Sequence, residues 1–171
     1  MVIKTYQLLP YAQSSTNITI EASLSLTSQQ LELSFLLQGV GDHYLFERES
    51  QAKRADELWR ATCFEAFVKN LNSKEYWELN IAPNGSWNLY RFSDYREDMQ
   101  EESRVLTPKV LFKQERDKVR VSIKVDFMEK LFDERVDFNL ALILLDMEGK
   151  RHFFTLNPKE GVADFHDFVL G

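Results

Sequence analysis

The residues best suited to chemistry lie in one stretch of the chain, from Tyr76 to Arg91. Asn84-Gly85 separates two runs of alternating apolar and polar residues, which predicts a β-hairpin with a two-residue type I′ turn. Counting outward from that turn, Glu78 faces Arg91 as a cross-strand ion pair. Because side chains alternate across a strand, this register also predicts which of them share a face of the sheet.

One predicted face of the hairpin is apolar and should pack in the core; its members are Trp77, Leu79, Ile81, Tyr90 and Phe92. The opposite face combines large aromatic rings with an amide and the ion pair; its members are Tyr76, Glu78, Asn80, Trp87, Leu89 and Arg91. Aromatic rings stack on the C–H faces of a sugar, while amide, carboxylate and guanidinium groups bond its hydroxyls. Trp59 and Glu65 share a parity in the preceding run and extend this surface if the two strands are neighbours. The predicted ligand-binding residues are therefore Trp59, Glu65, Tyr76, Glu78, Asn80, Trp87 and Arg91, and the predicted ligand is a small saccharide or related polyol.

Other interpretations of this surface remain open. The ion pair could serve only to hold strand register, with Trp87 covering a sheet edge, and an exposed aromatic face could dock a protein partner or a second copy. Glu65 and Glu78 could lie on adjacent strands about 5 Å apart, as in a retaining glycosidase. Arg91 opposite Glu78 argues against that role, since it should lower the pKa of the carboxyl, whereas a general acid needs it raised.

Other catalytic chemistry finds little support in the sequence. The histidines His43, His152 and His166 are far apart, and no phosphate-binding loop, nucleophile elbow or calcium loop is present. A haem would need an axial ligand, for which Met99 and Met147 are the candidates. The single cysteine, Cys63, excludes an internal disulfide and a thiolate-rich metal site. We therefore assign no catalytic residue, metal ligand or cofactor from these residues.

The elements that must position the surface are predicted to be strands. Alternating runs recur about every ten residues with turn signals between them, which is typical of an antiparallel β-sandwich. The predicted strands cover residues 17–26, 30–38, 58–69, 75–82, 87–93, 105–112, 119–125, 136–145 and 151–156. One or two short helices are predicted, at 127–132 after Asp126 and, less regularly, at 47–58. The expected fold class is therefore all-β, an antiparallel β-sandwich.

Composition limits the classes of partner. The chain has 171 residues, the usual size of one domain, so we expect a single ligand-binding domain over residues 1–171. The net charge of −6 offers no positive field for nucleic acid. The sequence shows no signal peptide and no apolar run of membrane-spanning length, which predicts a cytoplasmic location and no membrane partner.

Several segments resemble the bacterial DOMON-like proteins, which are similar to family 9 carbohydrate-binding modules. The resemblance is dense over Asp56–Phe67 and Tyr76–Asn88, continues through Tyr90-Arg91-Phe92 and Tyr95-Arg96, and returns at Ala163-Asp164-Phe165-His166. It implies a β-sandwich with a ligand site on one sheet, binding sugars or, in other branches, haem or catechol compounds. By position it implies site roles for Trp59, Glu65, Glu78, Asn80 and Arg91. It also implies a calcium ion as a candidate cofactor, with no ligands assigned. The chain departs from the family pattern at Asn157-Pro158, where a His-Pro pair is expected.

Overall fold

Alternation of apolar and polar residues drives strand formation along most of the chain. The computed structural model describes residues 4–14 and 17–170, and eleven strands lie within them. In chain order they are β1 (Lys4–Pro10), β2 (Thr19–Leu26), β3 (Gln30–Gln38), β4 (Cys63–Asn70), β5 (Tyr76–Ile81), β6 (Trp87–Phe92), β7 (Gln100–Glu101), β8 (Lys109–Glu115), β9 (Lys118–Asp126), β10 (Val136–Leu145) and β11 (Arg151–Thr155). Helical structure in the described part of the chain is limited to two 3₁₀ turns, Leu58–Arg60 and Phe165–Leu170.

The strands follow one continuous antiparallel order, β7-β6-β5-β4-β10-β11-β1-β2-β3-β9-β8, which curls into two layers. Strand β1 joins the layers, because its residues 4–8 pair with β2 whereas Leu9 and Pro10 pair with β11. We call β7-β6-β5-β4-β10-β11 the site sheet and β2-β3-β9-β8 the second sheet. This antiparallel β-sandwich with short helical turns confirms the predicted fold class.

The inner faces of the two sheets meet in one hydrophobic core. Phe35 of the second sheet contacts Phe64 of the site sheet, with ring centroids 5.1 Å apart. Trp77 lies in this core, as predicted from the hairpin pattern. Its indole N–H donates a 3.0 Å hydrogen bond to the Glu102 carboxylate, which is also bound by Arg104. The one polar atom of a buried tryptophan is thereby satisfied.

The predicted register of the β5–β6 hairpin is wrong by one residue. Ile81 pairs with Trp87, and the amide of Ala82 donates to the carbonyl of Ser86, so three residues form the loop rather than two. Gly85 adopts φ +90° while Asn84 does not take a positive φ. A type I′ turn needs positive φ at both positions, whereas a three-residue loop needs it only at the final glycine. Pro83 suits the start of the latter loop, because its ring fixes φ near −65°.

This slip moves every side chain of β6 to the other face of the sheet. Trp87, predicted to face a ligand, is 5% exposed and belongs to the same core as Trp77. Tyr90 and Phe92, predicted to be in that core, lie on the outward face instead. The predicted pair of Glu78 with Arg91 does not form, because Glu78 is opposite Tyr90. Arg91 binds Glu75 at an exposed position.

The predicted helix at residues 127–132 is also wrong. Phe127 and Phe132 pack in the core with ring centroids 5.2 Å apart. The amides of Phe127 and Leu131 donate to the carbonyls of Gln29 and Ser28, so they are not available for helical bonds. In the described part of the chain, no helix has the length and apolar character needed to cross a membrane.

Candidate functional site

The outward face of the site sheet forms a recess, which we call the cup. Adjacent strands place Glu65 of β4 directly opposite Asn80 of β5, with Glu78 two residues away on the same face. Aromatic residues surround these polar groups on the sheet, namely Phe67, Tyr76, Tyr90, Phe92 and Phe153. Their alternation with core residues follows from the period of two along each strand. The cup is therefore an amphipathic surface with its polar groups at the centre.

The C-terminal segment covers one side of the cup and is fastened there by Asp164. The Asp164 carboxylate accepts hydrogen bonds from the Tyr95 hydroxyl at 2.5 Å and from the Arg96 guanidinium at 2.7 Å. The backbone carbonyl of Phe165 accepts a 3.0 Å bond from the Asn139 amide. These contacts hold the Phe165–Leu170 turn against the sheet. Two segments that carry the family resemblance, Tyr95-Arg96 and Ala163 to His166, thus meet at the rim of the cup.

A pocket of about 330 Å³ remains between this segment and the sheet. Its lining consists of Trp59, Glu65, Glu78, Phe92, Arg96, Met99, Ile143, Arg151, Phe153, Ala163, Phe165 and His166. Trp59 stands at its edge, half-buried, with its ring 6.0 Å from that of Tyr90. The volume lies at the lower end of the range for small-molecule sites. The mixture of aromatic and polar lining suits a small ligand with both C–H faces and hydroxyl groups.

Both carboxyl groups at the floor of the pocket are buried. Glu65 is 1% exposed and Glu78 is 4% exposed. Burial raises the pKa of Glu65 well above its usual range, and the nearby Glu78 charge raises it further. Burial likewise raises the pKa of Glu78 to about 7, although the Asn80 hydrogen bond and the Arg96 charge lower it. This direction is opposite to the one expected from an Arg91 partner. The pair therefore resists holding two negative charges at once.

Two acceptor atoms, one at this floor and one beside it, have no internal hydrogen bond. Among the described residues, Glu65 Oε1 and Asn80 Oδ1 are buried without a partner, as is His152 Nδ1 elsewhere. The Asn80 amide is oriented by its Nδ2, which donates to Glu78 Oε1 at 3.0 Å. Buried polar atoms are almost always satisfied by protein or by a bound molecule. Two adjacent unsatisfied acceptors therefore indicate a place where a ligand or water donates.

His166 closes the polar network above Glu78. Its Nδ1 is hydrogen-bonded to the Tyr76 hydroxyl at 2.7 Å, and its Nε2 is 3.4 Å from Glu78 Oε2. Burial lowers the pKa of His166 to about 4, and the Arg96 charge lowers it further. The imidazole is therefore neutral near pH 7. It lies next to the carboxyl group of Glu78 without supplying a positive charge.

The structure separates the sequence-predicted residues into three groups. Trp59, Glu65 and Glu78 line the pocket. Tyr76 and Asn80 lie on the same face but are fully buried beside it, where Tyr76 stacks on Phe92. Trp87 and Arg91 are not part of the cup, for the reason of register given above.

Three polar residues of the pocket were missed by the sequence reasoning: Arg96, Arg151 and His166. Arg96 and His166 lie within segments that resemble the family, but no spacing linked them to Glu78, which is 18 and 88 residues away in the chain. Arg151 begins β11 and donates to the carbonyl of Trp59 at 3.1 Å. No local signal in the sequence could have identified it.

The described residues offer no cluster of His, Cys, Asp or Glu side chains for a metal ion. Within residues 4–14 and 17–170, no group of three or more His, Cys, Asp or Glu is arranged to hold one. Met99 lines the pocket whereas Met147 is exposed elsewhere. His166 Nδ1 is hydrogen-bonded to Tyr76 and its Nε2 lies 3.4 Å from Glu78, so neither ring nitrogen is directed at an open site for an iron. The calcium and haem expectations therefore gain no support from the donor sets of the described residues.

A scan against protein families and a search of curated proteins give no match for this chain. Solved structures with similar folds do exist. A candidate carbohydrate-binding protein from Bacteroides uniformis ATCC 8492 matches with a TM-score of 0.66 and 12% identity, over 96% of this chain and 82% of the other. A family 9 carbohydrate-binding module from Caldicellulosiruptor kristjanssonii in complex with glucose matches with a TM-score of 0.55 and 12% identity, over 90% and 74%. The same type of module in complex with cellotriose gives 0.53 and 12%, over 90% and 72%. At these identities the likeness shows that the chain has the fold of family 9 carbohydrate-binding modules.

Proposed function

We propose that this protein is a non-catalytic saccharide-binding domain that holds one small sugar in the cup. The observation that carries the proposal is the pair of unsatisfied buried acceptors, Glu65 Oε1 and Asn80 Oδ1, at and beside the floor of the pocket. Sugar hydroxyls are donors of the kind that these atoms need. The similar folds bound to glucose and cellotriose support the same ligand class.

The ligand would lie between an aromatic edge and a polar floor. Trp59 offers a half-buried indole at the rim for stacking against C–H groups. Arg151 lies beside it and can donate to ring hydroxyls. Glu65 and Glu78 accept hydrogen bonds from below. A site of this size with few anchors should bind weakly, with a Kd of about 10 μM to 1 mM.

Titration with glucose, cellotriose and a panel of monosaccharides tests this proposal. We expect saturable binding by calorimetry, together with a change in tryptophan fluorescence from Trp59. Trp59→Ala and Glu65→Ala should each weaken binding by about tenfold or more, which corresponds to about 1.4 kcal/mol. Arg91→Ala is the matched control, since Arg91 lies outside the pocket, and it should bind like the wild type. Absence of binding across the panel would refute the proposal and favour a protein partner for this surface.

A second candidate function, hydrolysis of a glycosidic bond, is favoured by one specific observation. The pKa of Glu78 is raised to about 7, as a general acid requires, and a second carboxyl lies on the adjacent strand. Incubation with aryl glycosides and reducing-end analysis of oligosaccharides distinguishes the two functions. A binding domain releases no product, whereas a hydrolase loses its product formation in Glu78→Gln.

A further inference from the structure

Acceptor oxygens without an internal partner are concentrated at the floor of the pocket and beside it, among the described residues. Glu65 and Glu78 are carboxyls, and the one amide beside them, Asn80, directs its oxygen away from Glu78 with no partner. Each of these side chains is more than nine-tenths buried. A neutral sugar hydroxyl donates one hydrogen bond, whereas an ammonium group donates three. The arrangement of acceptors therefore matches a ligand group that only donates.

The two arginines that line the pocket are engaged by other groups, although the Arg96 charge lowers the pKa of Glu78. Arg96 is bound to Asp164 at 2.7 Å, and Arg151 donates to the carbonyl of Trp59. His166 Nε2 lies 3.4 Å from Glu78 Oε2, but its ring is neutral near pH 7 and supplies no positive charge. Among the described residues, no ion pair of Glu65 is formed. An ionised carboxylate at this depth is costly without a positive partner, which is why burial favours the protonated form in the free protein.

We infer that the pocket prefers a saccharide bearing a primary ammonium group, an amino sugar of the hexosamine class, with the ammonium between the Glu65 and Glu78 carboxyls. This inference rests on the proposed function. The sugar ring then lies against Trp59 and Phe153, which also line the pocket. A metal ion is the other cation that carboxyls attract, and the described residues offer no group of three ligands for one.

Binding of an amino sugar should change the protonation of the two carboxyls, whereas binding of a neutral sugar should not. Burial favours the protonated form of these carboxyls in the free protein. An arriving ammonium favours the ionised form, so the carboxyl must lose its proton to the solvent as the ligand binds. Binding of an amino sugar is therefore coupled to proton release.

Calorimetric titration with glucosamine, N-acetylglucosamine and glucose at pH 6.5 tests the inference. We expect glucosamine to bind at least about tenfold more tightly than the other two, because only it carries the charge. Repeating the titration in two buffers with different ionisation enthalpies should show proton release for glucosamine alone. Glu65→Gln should reduce the preference to less than about threefold. Glu32→Gln, which removes an exposed carboxylate near Lys124 on the second sheet, should retain it.

The possible results distinguish failure of the amino-sugar preference from failure of saccharide binding itself. Equal affinities for glucose and glucosamine, or a preference for the acetylated sugar, overturn the inference and leave saccharide binding in place. Binding that requires added calcium and is lost with a chelator also overturns it. Absence of binding to all three sugars overturns both. The comparison uses the wild-type protein first, so it stands even if Glu65→Gln fails to fold.

Discussion

Replacing Glu78 with glutamine removes an ionisable group from the cup without changing the size of the side chain. The pKa of Glu78 rises from an ordinary value of 4.5 to about 7 because the carboxyl is buried. Between these values the folded protein holds a proton that the unfolded chain has released. Stability from this group is therefore present in full below about pH 4.5 and is lost as pH rises to about 7. The loss amounts to about 3 kcal/mol, at about 1.4 kcal/mol per pH unit.

His166 acts in the opposite direction over nearly the same range. Its pKa falls from 6.5 to about 4, so the unfolded chain binds the extra proton. Stability from this group is present above about pH 6.5 and is lost as pH falls to about 4. In the wild type the two groups offset each other, which should give a shallow dependence of stability on pH between 4.5 and 6.5. When the Glu78 carboxyl alone is removed, the stability of the variant should rise with pH over this range because of His166.

Denaturant unfolding of wild type and Glu78→Gln, followed by tryptophan fluorescence from pH 4 to pH 8.5, measures this difference. The variant should equal or fall below the wild type at pH 4, and should exceed it by about 1 to 3 kcal/mol at pH 8. Glu32→Gln, whose carboxylate is exposed, should give a nearly constant difference. A constant difference for Glu78→Gln as well would refute the conclusion that burial raises the pKa of this carboxyl.

Four further variants test the fold and the rim of the cup. Trp87→Ala should cost about 3–5 kcal/mol of unfolding free energy, because it truncates a core side chain; a melting temperature near wild type would contradict the observed hairpin register. Arg91→Met should cost only about 0–1 kcal/mol in the same assay, because its ion pair is exposed. Burial opposes ionisation of Glu102, but hydrogen bonds from Arg104 and the Trp77 indole lower its pKa to about 2. The stability that this carboxylate contributes should be lost as pH falls from about 4.5 toward 2. The melting temperature of Glu102→Gln should therefore fall less steeply with acidification than that of the wild type. Asp164→Asn should increase hydrogen exchange of the Phe165–Leu170 segment, and unchanged exchange would show that the segment is held by its apolar contacts alone.

Alternation in the sequence was sufficient to predict most of the site sheet. It placed Trp77 in the core and Glu78 and Asn80 on the outward face of β5, because both faces of that strand follow a strict period of two. It missed β1, whose residues Lys4–Pro10 do not alternate and whose strand changes partners between the two layers. The error in β6 comes from the turn, because Asn-Gly predicts a two-residue loop, whereas Pro83 begins a loop of three residues.

Residues of the cup that come from loops and from the chain end could not be predicted in this way. Arg96 and His166 reach the pocket only because Asp164 fastens the C-terminal segment to the loop after β6. Such contacts depend on tertiary packing and leave no periodic pattern in the sequence. The resemblance to the DOMON-like proteins includes both segments but does not indicate that they are in contact with each other. Glu65 faces the pocket from β4, whereas Trp59 reaches it from the 3₁₀ turn Leu58–Arg60, where the strand parity used to predict it does not apply.

The buried carboxyls of the cup oppose the stability of the sheet that holds them. Neighbouring outward positions carry Phe67, Tyr90 and Phe92, so an apolar residue at position 65 or 78 would continue the same surface without the desolvation cost. The Cys63 thiol beside Glu65 is a weak hydrogen-bond partner, and Glu65 Oε1 has none among the described residues. A ligand that donates to these atoms removes the cost only while it is bound. Its binding would therefore stabilise the folded state, so that the affinity of the cup and the melting temperature of the domain depend on the same two carboxyl groups.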